Sequence, residues 1–178
     1  QFLKAVAVFK QILKLDPAQI DALSSLGEMY ERLGLASDAL LTYEQVATAH
    51  ARDGDERRAL QALDKVAQLD PGNVASWVRY AEALSKAREV DRAVAAFARA
   101  ADVLRSQGRL DDYVKVTERL LYHRGDDLVR ARDLASVYLE RGDAKSALVR
   151  LQACFHADAQ DVTTLELMSQ ALLLKDQL

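Results

Sequence analysis

The spacing of small, apolar and glycine positions between Ile20 and Asn73 returns 54 residues later, between Val74 and Asp127. Leu23, Leu26, Gly27, Tyr30 and Gly34 in the first copy answer to Trp77, Tyr80, Ala81, Leu84 and Arg88 in the second. Ala39, Tyr43, Val46, Gly54, Ala59, Leu63 and Val66 answer to Ala93, Phe97, Ala100, Gly108, Tyr113, Thr117 and Leu120. A third copy opens at Leu128, with Ala131, Leu134, Ala135, Tyr138, Gly142, Ala147, Leu151 and Cys154 in the same places, and stops before the last helix of the unit. A fixed period of this size means stacked supersecondary units that share one elongated core.

Within a copy the apolar residues recur at helical spacing, and the breaks fall at turn residues. Phe2 to Leu15 carries Leu3, Val6, Phe9, Ile12 and Leu13 on one stripe and ends at Asp16-Pro17. It matches the last helix of a unit, since Ala5, Phe9, Ile12 and Pro17 stand where Ala59, Leu63, Val66 and Pro71 stand later. The first full copy predicts helices over Ile20 to Leu33, closed by Gly34, over Ser37 to Arg52 with Ser37 as N-cap, and over Glu56 to Leu69. The second predicts Val74 to Ala87, Asp91 to Ser106 and Leu110 to His123, and the third Leu128 to Glu140 and Ala144 to Ala157. Val162 to Leu174 begins one more. Connections this short force antiparallel neighbours.

Leu23-x-x-Leu26-Gly27-x-x-Tyr30, Gly34 and then Ala39-x-x-x-Tyr43 resemble the helix-turn-helix pattern of tetratricopeptide (TPR) repeats. Trp77-x-x-Tyr80-Ala81-x-x-Leu84 with Ala93-x-x-x-Phe97, and Leu134-Ala135-x-x-Tyr138 with Gly142 and Ala147, look like the same motif. The resemblance covers nearly the whole chain and implies an all-α fold, a TPR-like right-handed superhelical solenoid of about ten antiparallel helices. On this reading 1–178 is a single solenoid: 1–19 the tail of a preceding unit, 20–73 and 74–127 three-helix units, 128–161 a two-helix repeat and 162–178 the start of another. The chain opens at Gln1 inside a helix, so we expect a piece of a longer chain.

An ordinary TPR pair takes 34 residues. The two long helices, Ser37 to Arg52 and Asp91 to Ser106, fit both the second position of one repeat and the first position of the next. We expect them to shift the register and to present apolar residues on two faces. With helices alternating between two layers, those starting at Ile20, Glu56, Asp91, Leu128 and Val162 line one face, and four of the five fit the role that lines the concave groove of TPR proteins.

Catalytic chemistry finds little purchase. His50, His123 and His156 show no metal-ligand spacing, and His50 occupies the slot of Leu104, which favours packing. His123 and His156 end helices, where an imidazole meets terminal carbonyls. Cys154 shares a core slot with Val46 and Ala100. Asp111-Asp112 and Asp126-Asp127 open helices, where negative charge is favoured. Nucleophile elbow, P-loop and dinucleotide glycine motifs are absent. Tyr30, Tyr43, Trp77, Tyr80, Phe97 and Tyr138 fill repeat slots and are expected in the core. We therefore expect no enzymatic activity, no catalytic residues, no metal and no cofactor.

The groove remains. Carried over from the family, its lining is Ser24, Glu28 and Glu31, then Ala98, Arg99 and Asp102, then Arg132, Ser136 and Leu139, and Glu166 with Gln170. This mixture suits a peptide or folded protein partner of mixed polarity. The family's carboxylate clamp is not matched, because Ser24 and Glu28 stand where Lys and Asn would be. A net charge of −3 and the lack of a basic stripe speak against nucleic acid, and no run reaches the roughly 18 apolar residues of a membrane span. A single cysteine favours a reducing compartment, and so the cytoplasm. The Ala, Arg, Leu and Asp bias resembles bacterial chains, whose TPR scaffolds serve motility, pilus, secretion and envelope machinery. Two other readings stand beside the scaffold: the regulatory or substrate-recognition arm of an enzyme whose catalytic part lies elsewhere, and a homo-oligomer formed through the C-terminal edge, where Leu165, Leu167, Met168, Leu172, Leu173 and Leu174 spread over more than one face.

Overall fold

The computed structural model describes residues 1–176. Among them are ten helices and no strand: α1 (Phe2–Leu15), α2 (Ile20–Arg32), α3 (Ala36–Arg52), α4 (Glu56–Leu69), α5 (Val74–Lys86), α6 (Val90–Ser106), α7 (Leu110–His123), α8 (Leu128–Glu140), α9 (Ala144–Ala157) and α10 (Val162–Asp176). The fold is all-α. The final two residues of the expected 162–178 segment lie outside the described residues.

Short polar side chains cap the starts of five of these helices, and the left-handed conformation ends several. Asp55, Asp127 and Asp143 each accept the backbone N–H three residues on, from Arg58, Arg130 and Ser146. Asn73 accepts from Ala75 and Ser76, and Asp161 from Thr164. Each such cap satisfies a donor the first turn would otherwise leave unpaired. Ser37, expected to cap α3, does not. The helix already starts at Ala36, with Leu35 as an N-cap that offers no side-chain bond. The turn is so tight that Leu35 serves both helices: its N–H closes α2 on the Tyr30 carbonyl, and its own carbonyl accepts Ala39 N–H in α3.

The chain forms two compact units, Gln1–Ala96 and Phe97–Leu178, with the boundary inside α6. In the first unit α1 packs on α2, α2 on α3, α3 on α4 and α4 on α5. Val6, Leu26, Tyr30, Ala39, Tyr43 and Val66 make a core from four successive helices, with Phe9, Leu13, Met29, Leu33, Leu40 and Leu69 closing over it. Helix α3 is the pivot. Its buried residues, Ala39, Thr42, Tyr43, Val46, Ala47 and His50, span both sides that it turns toward α2 and α4, as expected of a register-shifting helix.

In the second unit α7 packs on α8, α8 on α9, and α10 on both α8 and α9. Ala135, Ala147, Leu151 and Ala171 are its fully buried centre, with Tyr138, Leu139, Leu148, Leu167 and Met168 around them. Burial of each large apolar side chain contributes about 1.5–3 kcal/mol.

Trp77 and Tyr138, expected in the core, are only partly buried. Each has a polar tip with a partner near the surface: the Trp77 indole N–H donates to the Pro71 carbonyl at 3.1 Å, and the Tyr138 hydroxyl to Glu118 at 2.8 Å. His123 lies against the Phe97 ring, with centroids 6.0 Å apart. Cys154 is buried, and burial pushes its thiol pKa up, away from a reactive thiolate.

Candidate functional site

Within each unit, alternate helices are tied side by side by charged groups. In the first, Glu31 on α2 meets Lys65 on α4 at 3.0 Å, and Asp21 on α2 meets Arg58 on α4 at 3.7 Å. In the second, Asp102 on α6 meets Arg130 on α8 at 2.7 Å, and Arg105 reaches Glu140 at 3.3 Å. Arg132 on α8 meets Asp161, the cap of α10, at 2.5 Å. The even-numbered helices of each unit therefore border one another, and their polar residues share a surface.

In the first unit that surface is hollow. A cavity of about 450 Å³ lies over α3, walled by Asp21, Ser24 and Glu28 of α2 and by Arg58, Gln61, Asp64 and Lys65 of α4. Tyr43, Val46 and His50 of α3 are also among its lining. Ser24 and Glu28, named from sequence, thus line the hollow opposite the α4 wall, while Glu31 is one turn on and already engaged. Its carboxylate takes Lys65 Nζ at 3.0 and 3.1 Å and the Tyr43 hydroxyl at 3.0 Å. The Lys65 ammonium, above all, holds the Glu31 carboxyl below its usual range, with Tyr43 assisting against partial burial. Burial, then the bond to Glu31, drives the Tyr43 hydroxyl well above its own.

The other eight residues named from sequence lie in the second unit. Arg99, Glu166 and Gln170 are exposed; Ala98, Ser136 and Leu139 are partly buried, and Leu139 packs on the α8–α10 core. Asp102 and Arg132 are in the ion pairs above. A hydrogen bond from Thr164, and secondly the Arg132 pair, hold the Asp161 carboxyl below the ordinary range.

Sequence reasoning assigned α4 to this face without naming its residues. Arg58, Gln61 and Lys65 stand at i, i+3 and i+7, opposite the buried stripe of Ala59, Leu63 and Val66. That spacing was the available signal, and a two-helix repeat pattern does not cover the third helix of a unit. A larger hollow, about 610 Å³, lies off the expected face, among the Pro17–Ala18 turn, Leu41, Gln45 and Arg52 of α3, and Arg79 of α5.

Among the described residues no three His, Cys, Asp or Glu side chains are grouped to hold an ion. No described helix is long and apolar enough to cross a membrane.

Comparison with known proteins agrees with the repeat pattern. Residues 50–111 match the tetratricopeptide repeat family model. No curated protein matches the sequence. Among solved structures, the chain is similar to a tetratricopeptide repeat protein from Parabacteroides merdae, at 16% identity and TM-score 0.37, over 98% of this chain and 80% of that one. It is similar to nearly identical TPR-like repeats of a putative kinesin light chain from Podosopora anserina, at 16% identity and TM-score 0.48, over 90% and 88%. It is also similar to the P58(IPK) TPR domain, at 14% identity and TM-score 0.41, where it covers 99% of its own length and 61% of that chain. Repeats of this family are typically scaffolds that bind other proteins. The family model matches within the stretch, Leu23 to Cys154, whose slots carry the repeat pattern, so residues 50–111 are similar to tetratricopeptide repeats.

Proposed function

We infer that this protein is a non-enzymatic scaffold that holds a peptide or a folded partner on the face that the even-numbered helices form within a unit. The observation that supports the reading is the hollow over α3, where Ser24 and Glu28 of one helix and Arg58, Gln61 and Lys65 of another border one preformed polar cavity. A preformed surface spares the partner the ordering cost of induced fit. Arg99, exposed on α6, extends the same kind of surface in the second unit. A reducing compartment such as the cytoplasm suits the single cysteine, and bacterial motility, pilus, secretion or envelope assemblies are the first places to seek the partner.

The test is an affinity pull-down with the whole chain, followed by binding of the recovered partner to variants. Ser24→Trp fills the hollow, and Arg99→Glu reverses an exposed charge that makes no ion pair among the described residues. Loss of binding in either, with unchanged circular dichroism, supports the face; undiminished binding to both removes it. Arg132→Glu is a poorer probe, because Arg132 is engaged with Asp161.

A second reading has its own observation. Leu165, Leu172 and Leu173 of α10 are 42–61% exposed, which suits a second copy docking on that edge. Light scattering over a range of concentrations decides it: a constant monomer mass rules self-association out.

A further inference from the structure

The hollow over α3 carries an unbalanced charge. Arg58 engages Asp21 and Lys65 engages Glu31, so both cations of the cavity already have partners. Among the described residues no cation pairs with Glu28 or Asp64, although Asp64 accepts a hydrogen bond from Gln68. Two carboxylates are left over, one on each wall. His50 supplies an independent sign. It is 6% exposed and lines the cavity, yet its imidazole has no hydrogen-bond or ion-pair partner among the described residues. The residue is nearly buried, and where its ring opens it opens onto the cavity, so whatever occupies the cavity, water or a ligand group, is what its nitrogens meet. The second copy has Leu104, fully buried, in the same slot, so the fold itself does not require an imidazole there.

The geometry points to a cationic side chain, arginine or lysine, as the group this cavity receives from a partner peptide. Deepening the scaffold reading, on which it rests, this inference assigns the pocket its chemistry. An ammonium or guanidinium placed between Glu28 and Asp64 offsets one of the two unpaired charges and can donate to both walls. One of its N–H groups can donate to an imidazole nitrogen of His50, and the Tyr43 ring and Val46 flank its methylene stem. A volume of about 450 Å³ holds one such side chain with its hydration, and not a folded element. A bare metal ion fits poorly, since no three ligand-type side chains converge among the described residues. The sign is opposite to that of a carboxylate clamp, in agreement with Ser24 and Glu28 standing where the clamp has Lys and Asn.

Random heptapeptides displayed on phage are panned against the whole chain, and recovered sequences are remeasured as synthetic peptides by fluorescence anisotropy. The expected result is enrichment of arginine or lysine, at least tenfold weaker binding when that residue is replaced by norleucine, and a comparable loss in the Glu28→Gln/Asp64→Asn protein. His50→Leu, which installs the residue of the second copy, is expected to fold normally and to bind several-fold more weakly. Peptides that lack a basic residue, bind the double variant as well as the parent and are blocked by Ser24→Trp overturn the cationic pocket while leaving the scaffold face intact. Peptides indifferent to Ser24→Trp, or no enrichment at all, overturn both.

Discussion

Arg88 holds the left-handed C-terminal position that Gly34 fills in the preceding copy, with φ of 61° against 72°. The hydrogen bonds around the two residues are the same. Gly34 N–H donates to Glu31 and Leu35 N–H to Tyr30, while Arg88 N–H donates to Ser85 and Glu89 N–H to Leu84. Arg88 is the one described non-glycine residue with positive φ. The turn is therefore imposed by the repeat, and at Arg88 a side chain with a Cβ endures it.

Arg88→Gly should stabilise the protein. The left-handed conformation costs an L-residue roughly 1–2 kcal/mol, and the extra freedom glycine gains in the unfolded chain returns about 0.5–1 kcal/mol of that. The net expectation is a gain of about 0.5–1 kcal/mol, read as a rise in Tm of about 1–4 °C for a chain of this size. Gly34→Arg should lose a similar amount. An unchanged or lower Tm for Arg88→Gly would mean that the arginine side chain makes up for its backbone.

Gly27 and Tyr43 set a second, steric condition. A Cβ at Gly27 would lie 3.1 Å from Tyr43 Cε1, while the corresponding slots hold Ala81 and Ala135 in the other copies. Gly27→Ala is expected within about 1 kcal/mol of the parent, because better helix propensity, about 1 kcal/mol, offsets the crowding. Gly27→Val adds methyl groups that the ring cannot accommodate and should cost about 1–3 kcal/mol. Urea denaturation of Gly27→Val alone and combined with Tyr43→Leu checks this: the valine must be less harmful beside leucine than beside tyrosine.

These positions also mark how far the sequence could be read. The bounds of α4, α7, α8 and α9 follow from the letters alone, because aspartates, glycines and Asp-Pro turns punctuate them and apolar stripes run between. Ser37 misled because side-chain capping was assumed where Leu35 joins two helices through backbone bonds alone. The site was half legible. Ser24 and Glu28 came from matching a two-helix motif, whereas Arg58, Gln61, Lys65 and the unpaired His50 became visible only when α2, α3 and α4 were brought together. Contacts between residues 34 apart, such as Glu31 with Lys65, depend on how neighbouring helices are rotated. No local pattern encodes that.

Glu31 and Glu118 play one part in two settings, each joining a tyrosine of the next helix to a cation of the helix after. Glu118 accepts from the Tyr138 hydroxyl at 2.8 Å and from Arg150 through two bonds, Nε to Oε1 at 3.0 Å and Nη2 to Oε2. Burial and that carboxylate push the Tyr138 pKa up to about 12. The side chains of Glu118 and Arg150 are 29% and 33% exposed, against 37% and 45% for Glu31 and Lys65. Glu118→Gln should thus cost more, about 1.5–3 kcal/mol for bonds to a charged, partly buried group, and Glu31→Gln about 0.2–1 kcal/mol for a screened surface pair. Thermal melts in low and high salt separate them. Raising the salt should shrink the Glu31→Gln effect more, and equal losses with equal salt dependence would count against the distinction.

Asp161 connects stability to pH. Its carboxylate caps α10, takes Thr164 Oγ1 at 2.5 Å and pairs with Arg132, and these contacts hold its folded-state pKa below the value of about 4 expected in the unfolded chain. A depressed carboxyl pKa contributes stability that is fully present above the unfolded value and lost as pH falls through the folded one. Asp161→Asn keeps a capping oxygen and removes the charge, so it isolates the ionic part. The stability difference between parent and Asp161→Asn should stay constant from pH 8 to about pH 5 and shrink toward zero below about pH 4. Glu31, Asp112 and Asp143 are depressed in the same direction and steepen the acid limb of both proteins alike, leaving the difference intact. Urea melts at a series of pH values give that difference directly. A gap that persists unchanged at pH 3 would show that the asparagine harms the cap itself, and that the Arg132 pair does not draw its strength from the ionised carboxylate.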